Sequence, residues 1–242
     1  MSVVQTAANF PTALDLVNRV QRECGVETVL SLANTNDRSE TVREALNDAV
    51  IDIYNRARWE WLMTVYHIQL VAGRDQYQMP KNFDRLAMPV RLTNTPMKEY
   101  TALDWPYYIP TVDPGGQGGP HSYMVHNDIL SVFPAPSAES VAQYPKLILA
   151  YYKSPGPRVP ASADGDKTTW DIPEAFIEPM VAFGKWKLKM LLEYPDSPGE
   201  MARYEQLIQQ NLNKRRSSLQ NAQMHQRFDP TKMGGNGWNF WG

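Results

Sequence analysis

The stretch that decides the fold is SETVREALNDAVIDIYNRARWEWL, residues 39–62, running directly into MTVYHIQLVAGRDQYQMPKNFDR, residues 63–85. In the first half, Val42, Ala45/Leu46, Ala49/Val50, Ile53, Ala57 and Trp61 recur with helical spacing. Arg43, Glu44, Asn47, Asp48, Asp52, Asn55 and Arg56 lie largely off that stripe. Ser39 is the expected N-cap, with Glu40 near the positive end of the helix. A continuous helix through Leu62 would be ~36 Å long, a scaffold-length element. In the second half the period changes: Val65–Val71 is rich in β-branched and aromatic residues, and Gly73 supplies a turn.

Upstream, Pro11 or Thr12 can open a shorter helix carrying Leu14, Val17 and Val20, with Gly25 just beyond Cys24 as its stop. Downstream of Val65–Val71 the expected strands are Met88–Thr93, Met97–Thr101, Ser122–His126, Ile129–Phe133 and Leu147–Tyr152, with a helical turn over Ala102–Tyr108. Turn chemistry at Asn94-Thr95-Pro96, Pro114–Pro120 and Asn127-Asp128 separates them. Ser154–Asp166 has the composition of a linker. Helix resumes after Asp171-Ile172-Pro173 with Phe176, Ile177, Met180, Phe183/Gly184, Leu188 and Leu191 on one face. Pro179 must kink this helix or delay its start, and Pro195 and Pro198 end it. A last helix runs from Glu200 to about Ala222 with Lys214, Arg215 and Arg216 on its outer face.

The expected class is therefore α+β: an antiparallel bundle of four main helices, a small β module inserted between the second and third, and an extended C-terminal arm. Its segments are residues 1–63 (helices), 64–154 (β module), 155–170 (linker), 171–224 (helices) and 225–242 (arm).

Composition narrows the function classes. In 242 residues, 24 basic and 26 acidic side chains nearly cancel, so net charge attracts neither nucleic acid nor membrane. The lone Cys24 excludes an intrachain disulfide and fits a reducing compartment; on a helix it is expected to pack rather than react. The opening residues have neither a basic start nor an apolar run, and no segment approaches the ~20 apolar residues of a membrane span, so a soluble protein is expected.

Candidate chemistry is thin. His121, His126 and Asp128 lack a metal-ligand spacing, with no third histidine or cysteine nearby. The Gly115–Gly119 run lacks the Gly-Lys-Ser/Thr ending of a phosphate loop and leads to no helix. No Gly-x-Ser-x-Gly occurs, and His67 falls inside a strand. Asp75, Asp84, Asp104 and Asp113 offer carboxylates, but a glycosidase needs a pair at fixed separation, which spacing along the chain does not give. No catalytic residue, cofactor or metal is expected.

Two features instead suggest contacts. Lys214-Arg215-Arg216 is the only basic cluster and suits a solvated face, an acidic partner or DNA phosphates. The tail from Arg227 and Phe228 ends in Gly237-Trp238-Asn239-Phe240-Trp241-Gly242, aromatic anchors too isolated to build their own core. Trp59 and Trp61 cannot share one helical face, so one is expected in the core and the other against the insertion or a neighbouring subunit.

The order helix, Trp59/Trp61, strand, Gly73, then Tyr77-x-Met79-Pro80-x-x-Phe83, with Leu147–Tyr152 leading by a linker to Asp171-Ile172-Pro173, resembles the head-to-tail adaptor (connector) proteins of tailed bacteriophages. The resemblance implies a virion structural protein assembled in the host cytoplasm as a ring, expected in twelve copies, beneath the portal protein. It further implies that Arg227, Phe228, Trp238, Phe240 and Trp241 belong to a portal-binding arm, that the β module faces neighbours or the next tail component (nozzle or tail protein), and that genomic DNA passes through without sequence-specific binding. No membrane partner is implied. A virion-associated cell-wall-degrading enzyme and a tail terminator or other tail protein are the competing readings.

Overall fold

The computed structural model describes residues 10–34, 36–93, 95–106 and 119–227. Among these lie six α-helices and nine strands in two sheets, a mixed α+β chain. The chain divides into two compact units, residues 1–53 with 158–242, and residues 54–157.

The first unit is helical. Helix α1 (Ala13–Glu23) opens on a capping box: the Asp15 N–H donates to Thr12 Oγ1 at 3.2 Å and the Thr12 N–H donates to Asp15 Oδ2 at 3.0 Å. It closes at Cys24, and Gly25 takes φ +69°, the left-handed stop expected of it. Helix α2 (Asp37–Arg56) begins two residues before Ser39. The cap is Asn36, whose side-chain oxygen accepts from the Ser39 N–H at 2.9 Å while Ser39 Oγ accepts from the Asn36 N–H at 3.0 Å. Ser39 is thus the reciprocal partner of the cap, not the cap itself. Val42, Ala45, Leu46, Ala49, Val50 and Ile53 are buried, as their spacing requires.

Arg43 and Asn47 correct the expected polar face, because both are buried. Arg43 Nη1 donates to the Val159 carbonyl at 2.6 Å, and the Asn47 amide both donates to that carbonyl (3.3 Å) and accepts from the Val159 N–H (3.0 Å) and Trp170 Nε1 (3.2 Å). Arg158 adds exposed bonds to Glu44 (2.6 Å) and Asp48 (2.9 Å). The proline-rich stretch after Ser154 is therefore fastened to α2 wherever it enters this unit, and it contains a short helix, α4 (Ala163–Asp166). Composition gives only a linker here, because the α2 side chains that hold Val159 lie more than 100 positions away.

Helix α5 (Ile177–Leu191) starts after a 3-10 turn, Glu174–Phe176, which puts Pro179 in its first turn. Proline there costs no hydrogen bond, so the start is delayed and no kink is needed. Gly184 lets α1 and α2 approach: a Cβ there would stand 3.1 Å from Val20 Cγ2 and 3.4 Å from Leu46 Cδ2. Helix α6 (Ser197–Arg227) begins earlier than Glu200, with Pro198 inside its first turn rather than terminating α5. Its Tyr204 is fully buried, edge-on to Phe183 at 5.0 Å, and its hydroxyl donates to Asp52 of α2.

The second unit is a β module with one shared core. The first sheet has the order β1 (Met63–Gln69), β9 (Lys146–Lys153), β4 (Arg91–Leu92), β5 (Thr95–Pro96), with β3 (Phe83–Leu86) also on β9. The second has the order β2 (Gln76–Gln78), β8 (Ile129–Phe133), β7 (Ser122–His126), β6 (Lys98–Glu99), the last pair parallel. Ile68, Leu147 and Leu149 from the first sheet, with Leu70 and Val90 flanking its strands, meet Tyr77, Tyr123, Leu130 and Val132 from the second. Strands β7 and β8 occupy their expected bounds and join through Asn127 (φ +49°) and Asp128 (φ +59°), the paired left-handed residues of a type I′ turn. The expected strands at Met88–Thr93 and Met97–Thr101 shrink to β4 and β6. Strands β2, β3 and β5 are too short and polar for periodicity to mark. A short turn with helical Trp105-Pro106 stands within Ala102–Tyr108; the rest of that segment lies outside the described residues. A short helix, α3 (Ala138–Gln143), capped by Ser137, precedes β9.

Candidate functional site

Three sets of residues are candidates among those described: the segment from Trp59 to Phe83, the basic stretch Lys214–Arg216 of the C-terminal helix, and an ion cluster that spacing did not reveal.

Helix α2 ends at Arg56, and Trp59 is extended (φ −66°, ψ 138°) before a 3-10 turn, Glu60–Leu62. This corrects the expectation of a continuous helix to Leu62. Trp59 is 3% exposed, whereas Trp61 is half-buried and edge-on to Tyr54 at 5.1 Å. Two tryptophans one residue apart are thus separated by a change of backbone, which frees each to face a different way.

Gly73 adopts φ +76° and donates to the Pro136 carbonyl at 2.8 Å. Tyr77 is buried and reaches back under this turn: its hydroxyl donates to the Arg74 carbonyl at 2.8 Å and accepts from the Val71 N–H at 3.2 Å. Pro80 opens the next turn, closed by the Phe83 N–H on the Pro80 carbonyl at 2.9 Å. Phe83 packs 5.7 Å from the Tyr151 ring, and Tyr151 donates to Asn82 Oδ1 at 2.8 Å. Tyr77 and Phe83 therefore tie turns to strands, and the segment is a framework.

The ion cluster lies where α1, α5 and α6 meet. Lys185 and Lys189 on α5 are buried, and Glu200 on α6 bridges them at 3.0 and 2.8 Å. Glu23 takes the outer side of Lys185 at 3.3 Å, and Asp196 takes Lys189 at 2.5 Å. Burial of Lys189 opposes its charge, but bonds to Asp196 and Glu200 outweigh it and raise the ammonium to about 12. Burial of Glu200 works in the same way against its own charge; the two lysines win and hold the carboxyl below its ordinary value. The lysines' spacing of four marks one helical face, but nothing in the sequence indicates that the face is internal.

Lys214 and Arg216 are exposed on α6 and Arg215 is half-buried. The backbone of Arg227 ends that helix; Phe228, Trp238, Phe240 and Trp241 lie outside the described residues.

The remaining candidates do not assemble into reactive chemistry. A cavity of about 230 Å³ in the β module is lined by Tyr54, Arg58, Asp84, Arg85, Tyr152 and Lys153 among others, and Asp84 is bound to Arg85 at 2.6 Å. Asp104 accepts from Thr101 Oγ1 at 2.6 Å as a local turn, and Asp113 lies outside the described residues. His121 Nδ1 lies 2.9 Å from Ser122 Oγ, and no metal-ligating group of three occurs among the described residues. Tyr123 is fully buried; burial, then the neighbouring Glu99 carboxylate that accepts its hydroxyl at 3.0 Å, pushes its pKa up. That arrangement suits a structural tyrosine.

A family model described as SU10 adaptor protein matches residues 11–232, taking in both units. The chain belongs to the SU10 adaptor protein family. No curated protein matches it. Membership makes this SU10 adaptor a phage structural protein of the virion, in a family of adaptors and not of enzymes. An adaptor works through other head or tail components, so its functional elements are surfaces and rigid joints. Among the described residues no helix is long and apolar enough to cross a membrane.

Proposed function

We propose that this SU10 adaptor forms a ring, expected in twelve copies, beneath the portal protein and joins it to the next tail component. The family match over residues 11–232 carries this reading. In it, residues 1–63 and 171–224 make a rigid bundle wedge, residues 64–154 contact neighbours or the tail, residues 155–170 connect them, and residues 225–242 dock on the portal. The ring encloses part of the conduit through which genomic DNA passes without sequence-specific contact, and Lys214, Arg215 and Arg216 meet DNA phosphates or an acidic partner. Assembly takes place in the host cytoplasm.

Physical support comes from the tail. Ordering an arm costs ~1–2 kcal/mol per residue, which Trp238, Phe240 and Trp241 offset only by filling pockets at ~25 cal/mol per Å². The test is the solution mass of the chain alone and mixed with purified portal rings. A ring-sized complex on the portal is expected. Deleting Trp238–Gly242 is expected to leave the circular dichroism spectrum unchanged and weaken portal attachment, and a truncated chain that binds the portal as tightly as the full one overturns the arm assignment.

A further inference from the structure

Strand β1 ends its sheet, and its partner β9 lies on one side only. The Leu70 N–H donates to the Pro145 carbonyl, in register with the ladder that pairs Met63 with Tyr152. In an antiparallel pair, hydrogen-bonded and non-bonded positions alternate. The backbone groups of Thr64, Tyr66 and Ile68 therefore face β9, and those of Met63, Val65, His67 and Gln69 face away from it. On the far side of β9 the Ala87 N–H reaches Ala150 and the Ser154 N–H reaches Asn82, which fixes the same parity independently. The Met63 N–H closes the preceding 3-10 turn on the Glu60 carbonyl; the outward groups of Val65, His67 and Gln69 have no backbone partner among the described residues.

Sheet edges of this kind are normally blunted. Here β5 contains Pro96, β3 carries Asp84 and Arg85, and β2 and β6 are two or three residues long. β1 has seven residues, no charge and no proline, with Val65 57% and Met63 43% exposed.

The outer face beside this edge is polarised. At one end are Met63 and Val65. Ile148 lies in the middle, directly between His67 and Arg91, with Lys146 next to it on the same face. Arg91 and Lys146 are exposed and neither forms an ion pair among the described residues. We propose that the free edge of β1 takes up an extended segment of another protein by strand addition, with apolar side chains beside Met63 and Val65 and acidic ones beside His67, Lys146 and Arg91. The segments outside the described residues do not match this pattern: β1 of a second copy and residues 1–9 contain no carboxylate side chain, and residues 107–118 and 228–242 have one aspartate each, Asp113 and Asp229, both followed at once by proline. This surface includes no residue of the portal arm and does not depend on ring formation.

The probe is a blocked, fluorescent peptide alternating threonine with glutamate in its first half and with valine in its second, the order that antiparallel addition requires. Hydrogen exchange on the full chain should show new protection at the Val65 and His67 amides when it binds. Val65→Pro removes an outward N–H while leaving the β9 ladder intact, and should weaken binding by about tenfold with an unchanged circular dichroism spectrum. Arg91→Glu with Lys146→Glu should reverse the preference toward a lysine-for-glutamate peptide. Equal binding of both peptides to the parent, or an affinity indifferent to all these substitutions, overturns the proposal. So does finding the Val65 and His67 amides already protected in the chain alone, whether light scattering shows a dimer, meaning a second copy, or a monomer, meaning its own chain.

Discussion

Replacing Glu200 with glutamine tests the joint of α1, α5 and α6. The substitution keeps volume and hydrogen-bonding atoms but removes the carboxylate shared by Lys185 and Lys189 at 3.0 and 2.8 Å. Breaking a fully buried pair costs ~3–5 kcal/mol because the partner charge is stranded. Here each lysine keeps a second carboxylate, Glu23 or Asp196. Both are substantially exposed, so they compensate in part, and ~2–3 kcal/mol is expected. For a chain of this size that lowers the thermal midpoint by about 4–12 °C. The pH dependence has a definite sign. Glu200 is held below its ordinary value of 4.5 in the folded state, so its contribution is present above that value and is lost as pH falls through the folded pKa. Lys189 is raised from 10.5 to about 12, so its contribution is complete below 10.5 and is lost on approaching 12. Urea unfolding followed by circular dichroism, at neutral pH, through the acid range for Glu200 and through the alkaline range for Lys189, measures both. The gap between parent and Glu200→Gln should be widest near neutrality and close in acid. Equal midpoints at neutral pH, or a gap that persists once Glu200 is protonated, refutes the reasoning.

Three further substitutions probe the joints that sequence spacing did not reveal. Asn47→Ala removes the side chain that holds Val159 and Trp170, and should cost ~2–3 kcal/mol by urea titration and expose residues 155–160 to limited proteolysis. Gly165→Ala places a Cβ 2.4 Å from the Pro160 carbonyl oxygen; a loss of ~1–3 kcal/mol is expected, and an unchanged midpoint would show that this loop yields freely. Tyr77→Phe keeps the buried ring but abandons the Val71 and Arg74 backbone groups, so ~1 kcal/mol should be lost, together with faster amide exchange at Val71.

Elements whose signals are local were legible from the residues alone. Pro11 or Thr12 marked the start of the first helix, the stripe Val42 to Ile53 made α2, and β7 and β8 carried enough β-branched and aromatic residues to be placed. Asn127-Asp128 was a weak hairpin signal without glycine, and only the fold shows both residues accepting positive φ. The framework role of Tyr77, Pro80 and Phe83 required the turn of Gly73 and the ring of Tyr151 to be brought together in space.

By itself, the order of residues determined which stretches carry helical and which carry strand periods, that the chain is α+β, and the resemblance to adaptors. Those follow from side-chain spacing and turn chemistry within a few positions. Tertiary structure alone decided that α2 stops before Trp59, that Arg43, Asn47, Lys185 and Lys189 point inward, and that β1 is an uncovered edge. Each of these depends on partners distant in the chain, such as Val159, Glu200 and the one-sided ladder to β9. A polar side chain is buried only when a distant group completes its hydrogen bonds or balances its charge, and no local pattern records that.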